Sequence, residues 1–128
     1  MVETVLKNKK ILIVDDDPAI VMSLEFLFRK AEATVFIAVN GEEAIEKIKA
    51  EEPDVVLLDI MMPGIDGYGV ADFIKKNWND REVKVIFISA KSRDEDIKLA
   101  YSKGADLFVI KPFSTRRLIE KIIKLLNK

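Results

Sequence analysis

The 128 residues include no histidine and no cysteine. Without cysteine, neither a disulfide nor a thiolate-bound metal is possible. Without histidine, the chain lacks the commonest metal ligand, the usual general base and any phosphohistidine of its own. Charge of one sign is missing too. Twenty-one basic residues face 22 acidic ones, a net charge of −1, which gives no electrostatic ground for binding nucleic acid or an anionic membrane. Apolar runs such as residues 11–14 and 55–58 are far below the ~20 residues a membrane-spanning helix needs. No apolar stretch of signal-peptide length opens the chain. The expectation is a cytoplasmic protein with no membrane association.

What is present suits one domain over residues 1–128, with its core at about 10–127. Hydrophobic residues make up 49% of the chain, enough for one packed core. Short β-branched runs at 10–14, 34–39, 55–58, 83–88 and 105–110 alternate with amphipathic stretches. The runs are continuously apolar, as strands buried on both faces are. Helical faces are marked by Ile20, Leu24, Leu27 and Phe28, then by Ala44, Ile45 and Ile48, and by Val70, Phe73 and Ile74. Ile97, Ala100 and Tyr101 mark a fourth, and Leu118, Ile122 and Leu125 a fifth.

The punctuation agrees with this division. Asp17-Pro18 reads as an N-cap followed by proline at the first helical position. Asn40 caps the second helix, with Glu43 near its positive end. Residues 92–95 fit a capping box, and Lys103-Gly104 fits a helix end with glycine after it. The first helix is less clean, because Glu32-Ala33 supplies no glycine where the chain must turn. Five βα units in a row imply an α/β fold: a flavodoxin-like, doubly wound five-stranded parallel sheet of order 2-1-3-4-5. In that order the connections part between strands 1 and 3 and leave a crevice at their carboxyl ends.

Those strand ends carry polar residues. Strand 1 runs into Asp15-Asp16-Asp17, strand 3 into Asp59, strand 4 into Ser89 and strand 5 into Lys111-Pro112; strand 2 ends in Asn40-Gly41 and offers nothing obvious. Crowded carboxylates repel one another and call for neutralisation. Oxygen ligands alone favour a hard cation, and Mg²⁺ keeps room for waters and phosphate oxygens. Such a cation lets a phosphoryl dianion approach an anionic nucleophile, and a carboxylate can be that nucleophile. Lys111 supplies a second positive charge and Ser89 a hydrogen-bond donor. Taken singly, each residue has a plainer role. Asp17 reads as a helix cap, Ser89 as a cap for the next helix, Lys111 as a surface lysine. Asp59 is hardest to explain so, because an acid following Val-Val-Leu-Leu faces desolvation.

With residues 11–18 (ILIVDDDP), 54–67 (DVVLLDIMMPGIDG), 86–90 (IFISA) and 104–113 (GADLFVIKPF), the sequence resembles the CheY-like receiver domain of two-component response regulators. The likeness runs from Ile11 to about Leu126. It implies that Asp59 is the phosphoacceptor, that Asp15 and Asp16 hold Mg²⁺ with Asp16 the more direct ligand, and that Asp59 and the Met61 backbone carbonyl complete the protein's ligands. It implies that Ser89 shifts toward the phosphoryl group, that Phe108 changes rotamer in response, that Lys111 pairs with the phosphoryl oxygens, and that the Lys111–Pro112 bond is cis. It further implies a histidine kinase or histidine phosphotransfer protein as donor and a protein target downstream. The only catalysis implied is of its own phosphorylation and dephosphorylation. The face of helix 4, strand 5 and helix 5, with Lys91, Arg93, Phe108, Arg116 and Arg117, is expected to change. Met61 and Lys91 flank the expected path of a hydrolytic water, and Met61 offers that water no strong hydrogen bond, so slow self-dephosphorylation is expected.

Other functions remain in view. A small-molecule phosphotransferase needs a second acid near the nucleophile, and Met61 stands two residues on from Asp59. A nucleotide or flavin binder would carry a glycine-rich phosphate loop, which this sequence lacks. A phosphorylation-independent, receiver-like binding module would not need the full acidic set. The Met1 start and the charged Lys128 end suit a stand-alone receiver, relaying phosphate or docking directly on a partner.

Overall fold

A computed structural model describes residues 5–62, 64–77, 83–90 and 93–127. Strands and helices alternate along them: β1 (Lys10–Val14), α1 (Pro18–Lys30), β2 (Thr34–Ala38), α2 (Gly41–Glu51), β3 (Val55–Asp59), α3 (Gly67–Asn77), β4 (Lys84–Ser89), α4 (Asp94–Ser102), β5 (Leu107–Ile110) and α5 (Thr115–Leu126). All the strand pairs are parallel, in the order β2-β1-β3-β4-β5. This is the flavodoxin-like arrangement expected from the sequence.

Alternation along the strands divides the core in two. Leu12, Val14, Val56, Leu58, Val85 and Phe87 face one layer, which α2, α3 and α4 cover. Ile11, Ile13, Val55, Leu57, Ile86 and Ile88 face the other, covered by α1 and α5. Both faces of the sheet are therefore buried, which explains why the strands read as unbroken apolar runs. Among the described residues, no helix is long and apolar enough to cross a membrane.

Helix starts follow local chemistry. The Asp17 carboxylate accepts the Ala19 N–H at 3.0 Å, with Pro18 opening α1. At α2, Asn40 Oδ1 accepts the Glu43 N–H (2.8 Å) while Glu43 Oε1 accepts the Val39 N–H (3.2 Å), a reciprocal arrangement of the capping-box kind. Asp66, which the sequence pattern did not single out, caps α3 by accepting the Gly69 N–H at 3.0 Å. Ser92, the expected first member of the box before α4, lies outside the described residues. The helix starts at Asp94 with Arg93 at the cap position and no side-chain cap bond.

Helix α1 ends without glycine. Glu32 itself takes the left-handed conformation, φ 65°, and the Ala33 N–H returns to the Phe28 carbonyl at 3.0 Å, the closure of a Schellman motif. The expected glycine after α4 is Gly104, φ +101°.

Candidate functional site at the carboxyl ends of the strands

Register decides which side chains meet. Val14 pairs with Leu58, so Asp15 and Asp59 stand side by side one step further on. Asp59 pairs with Ile88, and Ile88 with Val109. Lys111, two residues beyond Val109, projects to the same face as Asp15 and Asp59. Its Nζ reaches back over the strand ends to Asp15 Oδ2 at 3.2 Å and Asp59 Oδ1 at 3.6 Å.

Asp15 is 2% exposed and Asp59 6%, while Asp16 is open to solvent. Carboxylate oxygens of the three lie within 4.8 Å of one another. Asp15 Oδ1 accepts the Asp17 N–H at 2.9 Å, which fixes its plane. Asp59 Oδ1 accepts the Met61 N–H at a long 3.4 Å. Burial, and next the charge of Asp15, push the Asp59 carboxyl up from the ordinary carboxylate range to about 6, while Lys111 and the Met61 N–H pull it back. The site is short of positive charge. Among the described residues, Lys111 is the cation paired with the two buried acids, and exposed Asp16 adds a third negative charge beside them.

That deficit, and a donor set made only of oxygens, fit a hard divalent cation. Among the described residues, Asp15, Asp16 and Asp59 form the acidic group able to hold it.

Ser89 is fully buried at the end of β4. It leaves the strand on the opposite face from Asp59's neighbour Ile88, the face that carries Phe87. Phe108 pairs with Phe87 and lies in the same core layer, 8% exposed. The ring is already inside, so Ile110, at 43% exposed, is the apolar side chain β5 presents to solvent. The Phe108 N–H, on the outer edge of β5, donates to the Tyr101 hydroxyl at 3.2 Å. The Lys111–Pro112 peptide is cis. Arg93, Arg116 and Arg117 are exposed; Lys91 lies outside the described residues. Met61 is 58% exposed beside Asp59.

Sequence reasoning missed the contribution of α2. Gly41, buried at its first residue, has no room for a Cβ because the Ile65 carbonyl fills that space. At α3, a Cβ on Gly67 would come within 2.6 Å of the Asp59 carbonyl oxygen. The glycines after Asn40 and Asp66 were the available signal, and nothing local says what they approach.

A family model of the response regulator receiver domain matches residues 11–123. Solved structures give the same likeness. A CheY-like response regulator receiver domain protein from Methanospirillum hungatei JF-1 is 32% identical, with 93% of this chain and 94% of that one covered and a TM-score of 0.86. The BeF3-activated N-terminal receiver domain of RstA from Klebsiella pneumoniae is 28% identical over 94% of this chain and 100% of that one, TM-score 0.85. The BeF3-activated DrrB receiver domain is 30% identical over 94% and 98%, TM-score 0.85.

Proposed function

Because the chain belongs to the response regulator receiver domain family, whose members interact with histidine kinases and downstream effectors, we propose that Asp59 is its phosphoacceptor and that phosphorylation there controls a protein partner. The observation that carries this reading is the meeting of Asp15, Asp16, Asp59 and Lys111 at one crevice. Asp15, Asp16, Asp59 and the Met61 carbonyl would hold Mg²⁺, which when bound neutralises charge between the carboxylate and the incoming phosphoryl group.

The chain's own groups do the rest. An Asp59 Oδ atom forms the new O–P bond as the P–N bond to a partner's phosphohistidine breaks, its electron pair remaining on the imidazole nitrogen. Lys111, already at the carboxylate, pairs with the transferred oxygens, and Ser89 donates its hydroxyl to one of them. The group adds about −1.5 to −2 charges, drawing Ser89 and Lys111 toward it. Ser89 and Phe108 share a core layer, so a shift of the first alters the packing of the second. The face of α4, β5 and α5 then favours or disfavours a partner by its difference in affinity for the two states.

Intact mass after incubation with acetyl phosphate and Mg²⁺ tests this. The expected result is one phosphoryl adduct that requires Mg²⁺ and is absent from Asp59→Ala. Two similar receivers are described in BeF3-activated form, so beryllofluoride binding is expected here too. A chain that takes neither would be a phosphorylation-independent binding module.

A further inference from the structure

Four of the five glycines gather at one loop. Gly67 lies against the Asp59 carbonyl, and its own N–H donates to the Ile60 carbonyl at 3.2 Å. A Cβ on Gly69 would meet Ile65 Cγ2 at 2.7 Å. One on Gly41 would overlap the Ile65 carbonyl oxygen and stand 2.6 Å from Ile65 Cβ. Gly64, φ +76°, faces the Glu42 carboxylate, and Glu42 Oε1 accepts the Ile65 N–H at 3.5 Å. Ile65 is thus gripped between the first turns of α2 and α3, with backbone rather than flexible side chain against Gly41.

Capping does not account for this arrangement. The start of α2 is already completed by Asn40 on the Glu43 N–H and by Glu43 on the Val39 N–H. Glu42, between them, is turned to the loop instead. That loop leaves β3 directly from Asp59 and carries Met61, whose N–H rests on the Asp59 carboxylate. Ile60 and Met62 anchor the near end of the loop in the core, and the peg at Ile65 holds its far end.

We propose that Gly41, Glu42 and Ile65 are positioning residues for the phosphoacceptor. The first turn of α2, on a strand connection that brings no polar group to the crevice, sets the loop that aims Asp59. The purpose of this clamp rests on the reading of Asp59 given above. Phosphoryl transfer depends chiefly on placement, and an error near 1 Å costs on the order of 10²-fold in rate.

The test compares Glu42→Ala, Glu42→Gln, Ile65→Ala and Ile65→Val with the native chain. Amide hydrogen exchange is measured in the metal-free protein, and adduct formation with acetyl phosphate and Mg²⁺. Glu42→Ala and Ile65→Ala are expected to speed exchange at the Met61 and Ile65 amides by roughly fivefold to tenfold, the equivalent of one lost hydrogen bond. They are expected to slow adduct formation by about tenfold or more at saturating acetyl phosphate, with half-saturation unchanged. Glu42→Gln keeps an acceptor oxygen and Ile65→Val keeps a branched peg, so both should stay close to native. Native exchange and native rates in both alanine variants overturn the clamp alone. A native chain that forms no adduct and binds no beryllofluoride overturns the phosphoacceptor reading, and with it the clamp's purpose, while exchange at Ile65 still decides whether α2 holds the loop.

Discussion

At Asp59, burial and the Asp15 charge favour the neutral acid, while Lys111 and the Met61 N–H favour the carboxylate, and the group settles at about 6. A folded-state value above the unfolded one means that Asp59's contribution to stability is fully present below the ordinary carboxylate value, near pH 4, and is lost as pH rises through about 6. Asp59→Asn cannot ionise. In EDTA at pH 7.5 it should therefore unfold at higher urea than the native chain, by up to about 2–3 kcal/mol, and the gap should close toward pH 4. Two residues on, Met61 is largely open to solvent and presents a thioether where a water would need orienting. Met61→Asn should shorten the phosphoryl half-life by about tenfold, less than full general-base catalysis supplies. An unchanged half-life, followed by mass over time after removal of the donor, would dispose of that role.

Among the elements, two helix starts were legible because capping joins residues two or three apart. Asp17 and Asn40 were readable that way, and Asp66 escaped only because Gly67 and Gly69 hid the start of α3. The box read at 92–95 did not mark the start of α4, which begins at Asp94 behind Arg93 without a side-chain cap bond. Helix ends are less legible, since a left-handed residue need not be glycine. The sequence lacks glycine after α1, and Glu32 adopts φ 65° in its place, held by the Schellman bond from Ala33 to Phe28 and by the Asn8 N–H on its carbonyl (3.0 Å). The left-handed conformation costs a side-chain-bearing residue about 1–2 kcal/mol, partly offset because glycine loses more entropy on folding. Glu32→Gly should thus raise stability by about 0.5–1 kcal/mol, read as a higher midpoint in urea or heat.

Over the whole molecule, the sheet order followed from five apolar runs and the rules for parallel connections, and the order alone brought four strand ends to one rim. Reach was not legible. Lys111 follows β5, an edge strand, yet its ammonium sits 3.2 Å from an oxygen on β1's continuation. Nor was the meeting of α2 with the loop after β3, because a backbone contact between Gly41 and Ile65 leaves no periodic trace. The inward setting of Phe108 needed the register, which places it beside Phe87. Since Lys111 is the shared counter-charge for Asp15 and Asp59, Lys111→Met should lower stability in EDTA by about 1–3 kcal/mol, less than for a fully buried pair because the lysine side chain is 21% exposed. Added Mg²⁺ should recover part of that loss, read as a larger metal-induced shift in the unfolding midpoint than the native chain shows.

The opposite rim of the sheet carries acids of another kind. Asp54 Oδ2 accepts the Lys10 N–H and Asp106 Oδ2 the Val85 N–H, each at 2.8 Å, so these carboxylates stitch the beginnings of neighbouring strands. An amide oxygen can accept the same bond. Exchange of aspartate for asparagine thus preserves the stitching at 54 and 106, while at 15 and 59 it removes the charge on which the crevice depends. One and the same conservative replacement keeps its hydrogen bond where these strands begin and takes away a crevice charge where they end.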